Sequence, residues 1–182
     1  DVICLQEIKA LESQIDLPAL EEIGYTYHYF HSAEKKGYSG VGILTKQQPK
    51  HIEYGIGIDY MDTEGRIIRA DFENFSTVSV YVPSATNIDR LDLKMQFCYD
   101  FLDYIKELRK EIPNLIISGD FNICHQAIDI HDPIKLSKVS GFLPMEREWL
   151  SKFIEECSLI DSFRYFNREP HQYSWWSYRA NA

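Results

Sequence analysis

The chain has 182 residues, 45% hydrophobic and 26% charged, with 9 Gly and 7 Pro, an ordinary composition for a soluble globular fold. That length predicts one domain with enough core to fold without a disulfide or metal staple. No apolar run approaches the ~18 residues of a membrane span, no signal peptide is visible, and the net charge of −9 argues against a protein that coats nucleic acid.

Residues 2–6 form a continuous apolar run bounded by charge, which predicts a buried strand. Residues 12–23 are weakly helical, interrupted by Pro18 and closed by Gly24. Strand-like stretches follow at 25–30, 40–45 and 49–54, then an acidic loop at 59–65. Residues 66–72 and 77–82, joined by Asn74-Phe75-Ser76, read as a hairpin. The clearest helix covers 89–110, where Leu91, Met95, Cys98, Leu102, Ile105 and Leu108 recur at steps of three and four. Pro113 lies just past its end, where a helix cannot continue. Residues 115–118 predict another buried strand, ending in Gly119-Asp120, and a long loop covers 121–142. A second helix spans 145–157, with Pro144 at its first turn and Trp149, Phe153 and Cys157 inside. The aromatic tail, 172–178, is strand-like. Many strands with two well-formed helices predict packed sheets with helices outside.

The four cysteines, Cys4, Cys98, Cys124 and Cys157, form no CxxC pair. Without a secretion signal they read as reduced and structural, which predicts a cytoplasmic protein.

Three chemically useful residues sit at predicted strand exits: Glu7, Tyr81 and Asp120. A carboxylate at a strand end is held rigidly, as a hard metal ion requires, and Mg²⁺ usually takes one or two carboxylates plus waters. Asp120 and Asn122 are two apart, so in an extended stretch their side chains point the same way. One is a base or metal ligand; the other is a neutral donor that can stabilise charge on a phosphate oxygen. A phenol at Tyr81 could donate to phosphate. Each also has an ordinary explanation: a solvated Glu, a Gly-Asp turn, a good strand residue. Of the six histidines only His125, near Asp120, is a candidate, and it reads more simply as structural. There is no P-loop, dinucleotide fingerprint or GxSxG elbow.

Longer stretches carry a resemblance. Leu5-Gln6-Glu7, Gly37-Tyr38-Ser39-Gly40-Val41-Gly42-Ile43-Leu44-Thr45, Glu64-Gly65-Arg66-Ile67-Ile68 and Tyr81-Val82-Pro83-Ser84 come first. Gly119-Asp120-Phe121-Asn122, Phe142-Leu143-Pro144-Met145-Glu146-Arg147-Glu148-Trp149, Leu159-Ile160-Asp161-Ser162-Phe163-Arg164 and Tyr173-Ser174-Trp175-Trp176-Ser177-Tyr178 follow. In this order they resemble the exodeoxyribonuclease III and AP endonuclease family of the endonuclease/exonuclease/phosphatase superfamily.

The resemblance implies an α/β four-layer sandwich, two packed mixed sheets flanked by helices. It implies Mg²⁺-dependent phosphodiester hydrolysis (Mn²⁺ being the alternative metal) on double-stranded DNA with abasic sites or 3′ ends, by a monomer with no membrane contact. By motif position Tyr81, Asp120 and Asn122 are catalytic, and Glu7, Asp120 and Asn122 hold metal. Trp175, Arg66 and Ser84 contact substrate, with Trp175 lining the abasic pocket. Some members have Asn where Ser84 stands and insert an Arg where Asn87 stands. The family's first-strand Asn, its Arg-x-Asp-Tyr strand and its Ser-Asp-His motif do not occur here. Residues 1–182 are therefore expected to be the central part of one larger domain, incomplete, and inactive and poorly stable when isolated. Two other readings stay open: a superfamily phosphatase acting on a small phosphoester, and a non-catalytic DNA-binding remnant.

Overall fold

A computed structural model describes residues 1–85 and 88–176. The chain forms two compact units: Asp1–Pro83 with Glu107–Phe121, and Ser84–Lys106 with Asn122–Ala182. Its elements are β1 (Val2–Gln6), α1 (Leu17–Glu22), β2 (Tyr27–His31), β3 (Val41–Thr45), β4 (His51–Tyr54), α2 (Asp59–Asp62), β5 (Ile67–Asp71), β6 (Ser76–Tyr81), α3 (Ile88–Glu111), β7 (Leu115–Asp120), α4 (Pro144–Glu156) and α5 (Ser162–Phe166). The class is the α/β one expected.

The first unit holds both sheets. One is antiparallel throughout, in the order β1-β3-β2, with Val2 opposite Thr45 and Gln6 opposite Val41. The other is mixed, in the order β4-β5-β6-β7. β5 and β6 form the expected antiparallel hairpin, whereas β6 and β7 run parallel. Parallel neighbours need a crossover, and the connection from β6 to β7 runs through α3.

The sheets bury alternate residues against each other, as the two-residue period of a strand dictates. Val41 and Ile43 of β3 share a cluster with Ile68 and Ala70 of β5, Phe72 and Tyr81, and Val2, Cys4, Tyr29 and Ile52 pack on it. Ile43 and Ile68 are wholly buried, so truncating either to Ala costs about 2–5 kcal/mol. Buried Ser79 of β6 is satisfied from the facing sheet: its Oγ accepts from Gln6 Nε2 at 3.0 Å and donates to the Leu5 carbonyl at 3.2 Å.

Several expectations need correction. β1 is half-buried rather than buried, because among the described residues it pairs on one side only. Among the described residues β7, which extends to Asp120, is an edge strand, with Ile116 exposed. The expected loop at 59–65 contains the one-turn α2, because the Asp62 carboxylate accepts the N–H groups of Ile56, Gly57 and Ile58 and folds the chain around itself. α1 starts at Leu17 because Pro18, tolerated in a first turn, cannot continue a helix from its N-terminal side.

In the second unit, α3 buries Met95, Cys98, Leu102 and Ile105 as its spacing predicts, together with Phe97 and Phe101. α4 starts at Pro144 and buries Trp149 and Phe153, whose rings stack at 5.1 Å; Cys157 just beyond it is buried too. α5 was not expected, although Asp161 is an N-cap signal: its carboxylate accepts the Arg164 N–H at 3.0 Å. The tail is not a strand over its described part, 172–176, while Ser177 and Tyr178 lie outside the described residues.

Candidate active site

β1 delivers Glu7 at its end. Glu7 adopts φ +54, and the chain beyond it is pinned by bonds from Ile8 N to Gly40 O (3.2 Å) and Lys9 N to Ser39 O (2.9 Å). Positive φ is uncommon for a side chain this size, and such conformations concentrate at functional sites. The Glu7 carboxylate is half-exposed and pairs with Lys9 Nζ at 2.8 Å.

Tyr81 and Asp120 end adjacent strands and are direct partners in the parallel register. The Val82 N–H donates to the Asp120 carbonyl at 2.9 Å, which locks the two strand ends together. Burial, and then the charges of Glu7 and Asp120, push the Tyr81 phenol up to about 12 against the opposing pull of Arg66. Tyr81 therefore stays protonated at neutral pH and is a hydrogen-bond donor there.

Arg66 is 2% exposed and commits its guanidinium to the protein. Nε donates to Glu64 Oε2 at 2.6 Å, Nη1 to the Tyr81 carbonyl at 3.0 Å and Nη2 to the Tyr38 hydroxyl at 3.0 Å. Its charge also lies 5.0 Å from the Tyr81 ring centre and 5.7 Å from that of Tyr38. In return the Tyr81 N–H donates to the Arg66 carbonyl at 2.9 Å. Arg66, expected from the sequence to touch substrate, is thus bound up in holding Tyr81. Tyr38, given no role from the sequence, is a second aromatic partner of that arginine; its place in the Gly37–Thr45 stretch was the available signal.

The first unit therefore brings Glu7, Tyr81, Asp120 and Arg66 together at one end of the two packed sheets. The donor set is two carboxylates and a neutral phenol, chemistry that suits a hard divalent cation. No group of three or more His, Cys, Asp or Glu among the described residues is placed to hold a metal ion.

The other expected site residues belong to the second unit. The Asp120–Asn122 stretch is not extended: β7 ends at Asp120 and Asn122 has φ +51, so strand alternation does not set where its side chain points. The Asn122 carbonyl accepts from Lys94 Nζ at 2.8 Å. Ser84 is exposed, and its carbonyl accepts from Arg90 Nε. Trp175 is 70% exposed. Asn87 lies outside the described residues. His125 bonds Ser151 Oγ at 2.7 Å, and burial pulls its pKa below the usual imidazole value. Sequence reasoning passed over Lys94 and Glu146, a wholly buried ion pair.

A profile of the endonuclease/exonuclease/phosphatase family matches residues 1–182. The chain belongs to this family. The exodeoxyribonuclease of Bacillus subtilis (strain 168) is 42% identical over 185 residues, which span all of this chain and 71% of that protein. The DNA repair nuclease APEX1 of Danio rerio is 38% identical over 186 residues, covering all of this chain but 59% of that protein. An AP endonuclease from Archaeoglobus fulgidus superposes with a TM-score of 0.87 at 26% identity, over 98% of this chain and 68% of that one. Within the family the chain thus stands with the exodeoxyribonucleases and AP endonucleases, hydrolytic nucleases of DNA repair that depend on a divalent metal.

Proposed function

We propose that the protein is a Mg²⁺-dependent phosphodiesterase that cleaves double-stranded DNA at abasic sites and removes nucleotides from 3′ ends. The observation that carries this reading is the Glu7–Tyr81–Asp120 rim, where two carboxylates flank a phenol kept protonated. Glu7 and Asp120 would hold the metal, with Mn²⁺ as the alternative. When bound, the metal neutralises charge developing on the scissile phosphate. Asp120 orients and deprotonates the attacking water. Tyr81 donates its proton in a hydrogen bond to a phosphate oxygen, and Asn122 supplies a second, uncharged donor. Arg66 holds Tyr81 in place from behind. Trp175, already exposed, offers a face to a sugar that has lost its base, and Ser84 a hydroxyl to the backbone. A nucleotide without a base is the cheapest to extrude from the duplex, which supplies part of the selectivity.

The four cysteines are thiols rather than disulfides, which supports a reducing compartment, the cytoplasm; no helix among the described residues is long and apolar enough to cross a membrane. We take the protein to act as a monomer. The test is competition between substrates: the protein at its natural length, with Mg²⁺, should cleave a duplex carrying one abasic site and leave a small phosphomonoester such as p-nitrophenyl phosphate intact. Rapid hydrolysis of the monoester with no nicking of the duplex would favour a superfamily phosphatase. Tight abasic-duplex binding with no Mg²⁺-dependent cleavage would favour a binding remnant.

A further inference from the structure

The second unit contains a charged pair that the proposed chemistry does not use. Lys94 of α3 and Glu146 of α4 are both 0% exposed, and their charges meet at 2.5 Å. Removing two charges from water is expensive, so such a pair is weak evidence for stability and calls for another explanation. The remaining bonds of the pair all go to one place. Lys94 Nζ donates to the Asn122 carbonyl at 2.8 Å. Glu146 Oε2 accepts the N–H of Gly141 at 2.7 Å and that of Leu143 at 2.9 Å, while the Ser140 hydroxyl reaches Oε1 at 3.4 Å. The Cys124 N–H donates to the Gly141 carbonyl at 2.7 Å, two residues along from Asn122. Gly141 itself has φ +94, and a Cβ there would lie 3.1 Å from the Asn122 oxygen. The ion pair thus fixes the 140–143 turn; the lysine holds the Asn122 carbonyl and the turn holds the Cys124 N–H two residues on. Asn122 holds φ +51, in the left-handed region that asparagine enters more readily than most residues with a side chain, and the bonds around it hold it there.

We propose that Lys94 and Glu146 are positioning residues that act through Asn122, setting the backbone from which its amide reaches the phosphate. This rests on the reading of Asn122 as a transition-state donor. A misplacement of about 1 Å at such a group costs about 10²-fold in rate.

The test uses the protein at its natural length. Lys94→Met/Glu146→Gln removes both charges together, and Gly141→Ala presses on the Asn122 carbonyl while leaving both charges in place. Each should lower kcat on an abasic duplex by about 30- to 100-fold, with KM within about threefold of the parent. Combined with Asn122→Ala, neither should lower kcat further, because the group they position is already gone; a purely structural role would make the losses multiply. The side-chain amide resonance of Asn122, assigned by its loss in Asn122→Asp, should shift or double in both variants. If Lys94→Met/Glu146→Gln does not fold, Gly141→Ala decides alone. Either folded variant with kcat within threefold of the parent and an unmoved amide resonance overturns the proposal, as do losses that multiply with that of Asn122→Ala. A parent protein that leaves abasic DNA uncut would instead refute the functional reading, while the resonance still tests the positioning.

Discussion

Replacing Arg66 with Met separates two roles this arginine could have. The structure gives it three directed hydrogen bonds and contact with two aromatic rings, at 2% exposure. The bond to Glu64 is charge-assisted, and a hydrogen bond to a charged group contributes about 1.5–3 kcal/mol. The Tyr81 carbonyl and Tyr38 hydroxyl each lose a donor, a penalty of about 1 kcal/mol or more where the group stays buried. The two ring contacts add about 0.5–1 kcal/mol each. Met recovers part of this by filling the space, so the expected net loss is about 3–5 kcal/mol, a large share of a typical total stability of about 5–15 kcal/mol. Arg66→Lys, which keeps the charge but not the planar fork, should lose about 1–3 kcal/mol. Urea unfolding followed by fluorescence reads both as a fall in midpoint at unchanged slope. A loss below about 1 kcal/mol for Arg66→Met would refute the reasoning. If that came with weaker duplex binding and a salt dependence reduced by about one phosphate contact, Arg66 would be a substrate residue instead.

Gly119→Ala would place a Cβ 2.0 Å from the Val80 carbonyl oxygen across the β6–β7 pair; the strands must part beside Asp120, so thermal melts should fall by about 4–8 °C for a loss of about 2 kcal/mol, and an unchanged melt would count against the strand register. Burial pushes the Cys98 thiol from 9.0 up to about 12, so between these values the unfolded chain loses a proton that the folded one keeps. The contribution is full below pH 9.0 and disappears as pH rises to about 12; relative to Cys98→Ala, stability should fall by up to about 1.4 kcal/mol per pH unit there, and parallel pH profiles for the two proteins would refute it. Trp175→Ala, at a residue 70% exposed, should change stability by less than about 0.5 kcal/mol yet weaken binding to an abasic duplex by about 1–3 kcal/mol, as titration with a fluorescent duplex would show.

Much of the rim was legible in the sequence because its residues are strand ends, and strand ends announce themselves. Glu7, Tyr81 and Asp120 each close an apolar or β-branched run, and the pleat then fixes which residues meet, as the Tyr81–Asp120 register shows. The edge position of β7 could not be read, since an apolar run looks the same in a central strand and at an edge. The role of Arg66 was hidden for a different reason: a Gly-Arg dipeptide does not say whether the guanidinium meets phosphate or a phenol. Lys94 and Glu146 did leave a signal. Each lies on the apolar stripe of its own helix, Lys94 between Leu91 and Cys98 and Glu146 three residues before Trp149, and opposite charges on two buried faces point to one another. The direction of the Asn122 side chain was not legible, because the two-residue alternation holds only while the chain is extended and the left-handed turn there ends it.

The rim of Glu7, Tyr81 and Asp120 is proposed to cut a phosphodiester bond. Single-turnover cleavage of an abasic-site duplex in Mg²⁺, by the protein at its natural length and by its Asp120→Asn variant, tests it most directly. The variant keeps the shape of the side chain and loses only its capacity to take a proton and carry charge. The expected rate is at least about 10³-fold lower, with duplex affinity in the absence of metal within about threefold. Cleavage by Asp120→Asn at the parent rate would contradict it.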